Sequence, residues 1–309
     1  MNDAQSTVLV TGAAGFLGQH VVRAFLDESR PVIGVDLAGE PTPQANYRFE
    51  RLSLPSPAFD ELLRGGRVGT LVHCAGRASV EESLRTPKAD FEASALLTLE
   101  VLEALRLHSP HTRLLLLSSA AVYGDPLRLP IDEEAPVRPL SPYGFHKHQC
   151  ELLCREYATV FGLKTLSFRI FSAYGAGLKR QVVWDIVRKA CREPELVLRG
   201  SGEESRDFIH ALDVARACVI AEGRAEMKGE CYNLASGQET SIRELAERIL
   251  DALGLHRPLV FDRQSLAGVP KRWQADIARL QSLGFRPSVA LEQGLRETAE
   301  WARQELGGA

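Results

Sequence analysis

Apolar residues run unbroken in short stretches through the first half of the chain, and each stretch is followed by one in which they recur every three or four positions. TVLVTG (7–12), PVIGVD (31–36), TLVHCAG (70–76), RLLLLSS (113–119) and KTLSFRIFS (164–172) are apolar on both faces, the signature of strands covered on both sides. After the first, Leu17, Val21, Val22, Phe25 and Leu26 fall on one helical face, and ALLTLEVLEALRLH (95–108) and residues 142–161 read as further helices. Strands alternating with helices in this way predict a parallel sheet with helices on both faces, a doubly wound α/β fold. Beyond residue 173 the pattern is less regular. YNLAS (232–236) reads as one more strand, and Ser241 with Glu244 forms a capping box that opens a helix. No internal repeat or low-complexity segment is present.

Composition narrows the function classes without naming one. A chain of 309 residues has room for one large α/β unit or two domains. A net charge of -3 gives no sign of a nucleic-acid or membrane-surface partner. No apolar run approaches a membrane span, and MNDAQSTVLVTG shows no basic segment leading into a long apolar one, so no signal peptide is expected. Six cysteines occur without a C-x-x-C. Cys150 and Cys154, four apart in a predicted helix, are read as packing residues in a reducing compartment, and the expected location is cytoplasmic.

Two clusters carry chemistry. Gly12, Gly15 and Gly18 lie between the first strand and the first helix, where they permit a tight turn, close backbone approach to a pyrophosphate, and phosphate binding at the helix N-terminus. Asp36 ends the second strand at the separation expected of an acid on an adenosine ribose. Asp36 repels a 2'-phosphate, and Leu37 follows where an NADP site would offer a cation, so NAD is favoured over NADP. The second cluster is SPYGFHK. Ser141 can cap a helix and Pro142 suits its first position, which puts Tyr143 in the first turn and Lys147 one turn on, on the same face. Tyrosine in water keeps its proton to pH ~10; a nearby ammonium, the positive helix end and an oxidised nicotinamide all favour the phenolate. Ser119 ends its strand at the carboxyl edge of the sheet, in reach of the same substrate oxygen. Ser, Tyr and Lys so placed would exchange a proton with a hydroxyl whose carbon passes a hydride to NAD. His146 and His148 read as solvated, and His73, inside a strand, as a satisfied core imidazole.

The motifs TGAAGFLG, VHCAGRASVEES, SSAAVYG, SPYGFHK, RIFSAYG, GSGEESRDFIHALDVARA, YNLASG and ADIARLQSLGFRP resemble, in this order and over nearly the whole chain, the extended short-chain dehydrogenase/reductases, in particular NAD-dependent epimerase/dehydratases acting on nucleotide sugars. The resemblance implies a Rossmann domain over residues 1–173, completed by strand segments near 206–212 and 231–236, and a smaller, mainly substrate-binding α/β domain over 174–309. It implies bound NAD, Tyr143 as base, Lys147 on the nicotinamide ribose and Ser119 on the reacting hydroxyl. By motif position the cofactor would also meet Gly12, Gly15, Phe16, Leu17, Gly18, Asp36, Leu37, Leu54, Ala75, Gly76, Ser94, Ser118 and Phe171. Substrate contacts fall to Ser79, Ala121, Ser172, Lys179, Arg180, Arg206 and Arg272, with no metal. Homodimers would form through helices 91–108 and 143–161.

Departures from the family pattern sharpen the expectation. Ala120 and Ala121 stand where relatives that eliminate water or decarboxylate carry an acid, and Ala121 also removes a hydroxyl common in 4-epimerases. Ser94 and Ser172 each replace a common Asn. Leu266 and Val269 fill the pattern of the C-terminal diphosphate Arg, leaving Lys271, Arg272, Lys179 or Arg180 as replacements beside Arg206. The leading expectation is a nucleotide-diphosphosugar 4-epimerase of UDP-hexose type, working through a transient 4-keto sugar. The alternatives are a nucleotide 4-keto-6-deoxysugar reductase and, outside enzymes, an NAD-binding sensor or scaffold.

Overall fold

The computed structural model describes residues 6–39, 44–264 and 270–307. The predicted alternation is realised as β1 (Thr7–Thr11), α1 (Phe16–Asp27), β2 (Val32–Asp36), β3 (Tyr47–Arg51), α2 (Pro57–Arg64), β4 (Val68–His73), α3 (Val80–Arg85) and α4 (Pro87–Phe91). A π-helical turn over Glu92–Leu96 joins α4 to α5 (Leu97–His108), and β5 (Arg113–Ser119) runs into a 3-10 turn over Ala120–Val122. Then come α6 (Pro142–Phe161), β6 (Lys164–Ile170), β7 (Ser172–Tyr174), α7 (Gln181–Arg192), β8 (Leu196–Leu198), β9 (Ser205–His210), α8 (Ala211–Arg224) and β10 (Lys228–Leu234). The chain closes with β11 (Glu239–Ser241), α9 (Ile242–Leu253), β12 (Leu259–Phe261), α10 (Ala278–Ser282) and α11 (Leu291–Glu305).

Seven strands form one sheet in the order β10-β6-β5-β4-β1-β2-β3, every neighbouring pair parallel. Strand order reverses between β1 and β4, which opens a crevice at their carboxyl ends. On one face, Val21, Val22 and Phe25 of α1 pack with Val214, Ala217 and Cys218 of α8 against the sheet. On the other, Phe59 and Leu63 of α2, Leu102 and Leu105 of α5, and Cys150 and Cys154 of α6 form a second core. Both of these cysteines are therefore packing residues. Each large apolar side chain so buried contributes about 1.5–3 kcal/mol. A third core lies among α7, α9, α11 and β8.

Three features depart from the pattern-based expectation. The run 164–172 is broken at Phe171, whose N–H donates to the Leu234 carbonyl at 3.0 Å and whose ring is buried against Tyr123 and Trp273. There the chain leaves the large sheet, and β7 pairs instead with β9. The strand expected near 206–212 exists as β9, but it belongs to a separate three-stranded sheet, β11-β9-β7. Only β10 returns to complete the large one. The run read as one helix over 95–108 begins inside the π turn, which rotates α5 relative to α4.

Candidate active site

Gly12 closes β1 with φ +68°, and a Cβ there would lie 2.6 Å from the Ala75 nitrogen. A Cβ on Gly18 would lie 2.0 Å from the Gly12 carbonyl oxygen, so α1 can approach the turn only with glycine at both places. α1 starts after Gly15 with no side-chain cap and no acid in its first turn. Its leading N–H groups thus face the loop without a side-chain acceptor, as an anion site requires. Asp36 sits across the crevice; its Oδ2 accepts from the Ala14 N–H at 3.0 Å and its Oδ1 from the Leu37 N–H at 2.7 Å. The acid is held at the loop's edge, and the Leu37 side chain is exposed.

Next to this cradle, Thr11 Oγ1 accepts from the Ala75 N–H at 3.3 Å and lies 2.7 Å from His73 Nδ1. His73 is buried, and burial, aided by the Lys147 charge, pushes its imidazole down to about 3. It is a core residue, as its place in a strand suggested. Burial pushes the Cys74 thiol up to about 12, opposed by the same ammonium. Lys147 therefore projects toward the end of β4.

Ser141 caps α6, its Oγ accepting from the Gly144 N–H at 3.2 Å, with Pro142 at the first helical position. A Cβ on Gly144 would stand 2.6 Å from the Ala121 carbonyl oxygen, so its absence lets the start of α6 lie against the turn that follows Ser119. Tyr143 and Lys147 are both buried, and Lys147 Nζ donates to the Leu117 carbonyl at 2.9 Å. Ser119 Oγ accepts from the Ala121 N–H at 3.2 Å. Ser94, on the π turn, has a buried hydroxyl without a partner; a Cβ on Gly76 would be 3.9 Å from it and 4.0 Å from Lys147 Nζ. An NAD cradle, an unpaired hydroxyl, an ammonium and two hydroxyl side chains thus share one crevice at the carboxyl ends of β1, β4 and β5. The residues present fit a dinucleotide.

The remaining predicted contacts are less uniform. Ser118 Oγ donates to Glu151 Oε1 at 2.7 Å, Phe171 is buried between Tyr123 and Trp273, and Leu54 packs partly buried against the second core. Ser79 caps α3, and Ser172 begins β7. Of the replacement cations, Lys179 pairs with Glu305 at 2.5 Å, Arg180 donates to the Ala78 carbonyl at 2.5 Å, and Arg272 holds Glu239 by two bonds of 2.7 Å. Arg206 stacks on Trp273, 5.5 Å from the ring centre, and donates to the backbone carbonyls of Ser205 and Lys271. Burial pulls its guanidinium down to about 10, against the pull of Glu204 and Asp125. No carboxylate is hydrogen-bonded to it among the described residues. Leu266 and Val269 lie outside the described residues.

His146 is not solvated: its Nδ1 lies 2.6 Å from Oδ2 of the buried Asp90, because the helix face between Tyr143 and Lys147 packs on α4. His148 lies 3.6 Å from Glu151. Residue patterns also left out the buried Glu151–Arg169 pair (2.9 Å). Its signal was available, since Tyr143, Lys147 and Glu151 are spaced four apart on one helical face. Among the described residues no cluster of His, Cys, Asp and Glu could hold a metal ion, and no helix is long and apolar enough to cross a membrane.

A doubly wound sheet with a glycine cradle, an acid on β2 and a Ser, Tyr and Lys group beside it defines a nicotinamide-dependent enzyme of sugar or alcohol carbon. The chain belongs to the NAD dependent epimerase/dehydratase family, whose model matches residues 8–235. It is 31% identical over 335 residues to the UDP-glucose 4-epimerase of Azospirillum brasilense, covering 99% of this chain and 95% of that one. It is also 31% identical to the GDP-6-deoxy-D-mannose reductase of Pseudomonas aeruginosa, covering 94% of each. The UDP-glucuronic acid 4-epimerase of Bacillus cereus, solved with UDP-glucuronic acid and NAD, superposes with a TM-score of 0.88 at 26% identity over 97% of this chain and 99% of that one.

Proposed function

We propose that the protein is an NAD-dependent 4-epimerase of nucleotide-diphosphate sugars, of UDP-hexose type. The observation that carries this is the placement of Tyr143 and Lys147 on one buried face of α6, against the strand end that bears Ser119 and beside the glycine cradle. NAD, when bound, supplies the acceptor and donor of the C4 hydride. Ser119 holds the C4 oxygen, and Tyr143 takes its proton as the ketone forms and returns it afterwards. Lys147, buried and fixed on the Leu117 carbonyl, places a positive charge one helical turn from Tyr143 and is assigned to the nicotinamide ribose. Arg206 is assigned to the substrate's diphosphate. Ala120 and Ala121 give the site no acid for elimination, and epimerisation at C4 requires none. Asp36 supports NAD rather than NADP.

Residues 1–173 with β10 are assigned to the cofactor and 174–309 mainly to the substrate. Phe91, Leu96, Phe145 and Leu152 are exposed apolar residues on α4, its π turn and α6, which supports a homodimer through helices 91–108 and 143–161. The location is proposed to be cytoplasmic. The test is an NMR product assay with a panel of UDP-, dTDP- and GDP-sugars and added NAD. A C4 epimer without net NADH is expected; no conversion except of 4-keto sugars with NADH would establish the one-way reductase instead.

A further inference from the structure

We propose that Glu151 is a positioning residue of this active site, locking the end of β5 against α6 through Ser118 and drawing its own charge away from Lys147 through Arg169. This rests on the epimerase reading for its kinetic consequence, though not for the lock itself. Ser118, Arg169 and Asn233 stand in register on the adjacent strands β5, β6 and β10, and all three are buried. Glu151 accepts from Ser118 Oγ at 2.7 Å, from Arg169 Nε at 3.1 Å and from Arg169 Nη2 at 2.9 Å. Arg169 Nη1 continues to Tyr123 Oη at 2.9 Å and the Glu133 carbonyl at 3.0 Å, and Tyr123 Oη donates to Asn233 Oδ1 at 2.7 Å. The polar belt so formed crosses three strands directly beneath the reacting end.

Stability does not explain it. A buried ion pair is often no better than apolar groups of the same volume, and its best-attested use is to fix register. Here the register is that of three successive residues. Lys147 takes the Leu117 carbonyl, Glu151 takes the Ser118 hydroxyl, and the half-buried Ser119 hydroxyl accepts from the Ala121 N–H at the strand end. Lys147 and Glu151 are one helical turn apart, a spacing at which they would pair directly. Arg169 and Ser118 occupy the carboxylate instead, and the ammonium is left for the carbonyl. The other titratable groups around Glu151 are His148, Cys150 and Cys154 on its own helix, Cys231 on β10 and Tyr123 beyond the end of β5.

The test combines kinetics with amide hydrogen exchange on the full-length protein. Ser118→Ala deletes one oxygen and leaves the Glu151–Arg169 pair intact. It is expected to lower kcat about tenfold, the value of one hydrogen bond, with KM within about twofold and NAD still bound. Exchange at 117–122 should quicken while the rest of the protein is unchanged. Ser118→Thr, which keeps the hydroxyl, should restore both. Combined with Glu151→Gln, Ser118→Ala should add no further loss, because the two act through one contact. Glu151→Gln alone should also shift the pH profile of kcat, since the freed Arg169 charge then acts on the site. Wild-type kcat and wild-type exchange in Ser118→Ala would overturn the proposal, as would losses that multiply in the double variant. If the wild type converts no sugar, the epimerase reading fails, and the exchange measurement still decides whether Glu151 locks the strand.

Discussion

Replacing Tyr143 by Phe removes one oxygen and leaves a packed ring in place. The expected outcome is a kcat lower by about 10²–10⁴-fold with NAD retention unchanged, measured by NMR turnover and by cofactor content after gel filtration. His73 makes a separate prediction for stability. Its folded imidazole takes a proton only near pH 3, whereas an unfolded one does so near 6.5. As pH falls from 6.5 to 3 the unfolded chain therefore binds one more proton, so stability is full above 6.5 and lost below it. The slope is about 1.4 kcal/mol per pH unit. His73→Asn keeps an acceptor for Thr11, and its denaturation midpoint should fall less steeply over that window. Single-residue placement was legible wherever it follows from type and spacing, as for Gly12 in a positive-φ turn, Asp36 at the end of β2 and Tyr143 in the first turn of α6. It was illegible for His146, because nothing in its own helix announces the buried Asp90 across from it.

Among the elements, α6 carries Tyr143 and Lys147 of the proposed site, and two of its devices can be tested. Ser141→Ala removes a cap and should cost about 1 kcal/mol of stability, seen as a lower Tm with little change in kcat. Gly144→Ala should lower both Tm and kcat. A methyl 2.6 Å from the Ala121 carbonyl forces the helix start away from the turn after Ser119, and a shift of ~1 Å in a reacting group costs about 10²-fold in rate. A Gly144→Ala enzyme with wild-type kcat would show that this approach is not needed. The long helices and doubly covered strands could be read from periodicity alone. β3 could not, since YRFER is polar and lies on the sheet edge with only one neighbour. β7, β8, β11 and β12 are three residues each, too short to show a period. The π turn is invisible to any pattern that assumes 3.6 residues per turn.

At the scale of the whole molecule, the exposed apolar residues of α4 and α6 give the proposed homodimer its test. Phe145→Glu with Leu152→Glu should yield monomers by light scattering, with NAD still bound, because neither side chain belongs to the cores. The assembly of the large sheet carries a further consequence. Its outermost strand beside β6 is β10, which the chain supplies only at Lys228–Leu234. On the ribosome, β6 is complete at Ile170, and at ~5–20 residues per second its neighbour follows roughly 3–12 s later. Throughout that interval a long apolar strand shows an open edge of unpaired N–H and C=O groups, the usual template for wrong partners. A nascent chain stalled before residue 228 should therefore engage holdase chaperones or aggregate, and one stalled well beyond residue 234 should not. The moment of greatest exposure for this protein comes before its own synthesis is finished.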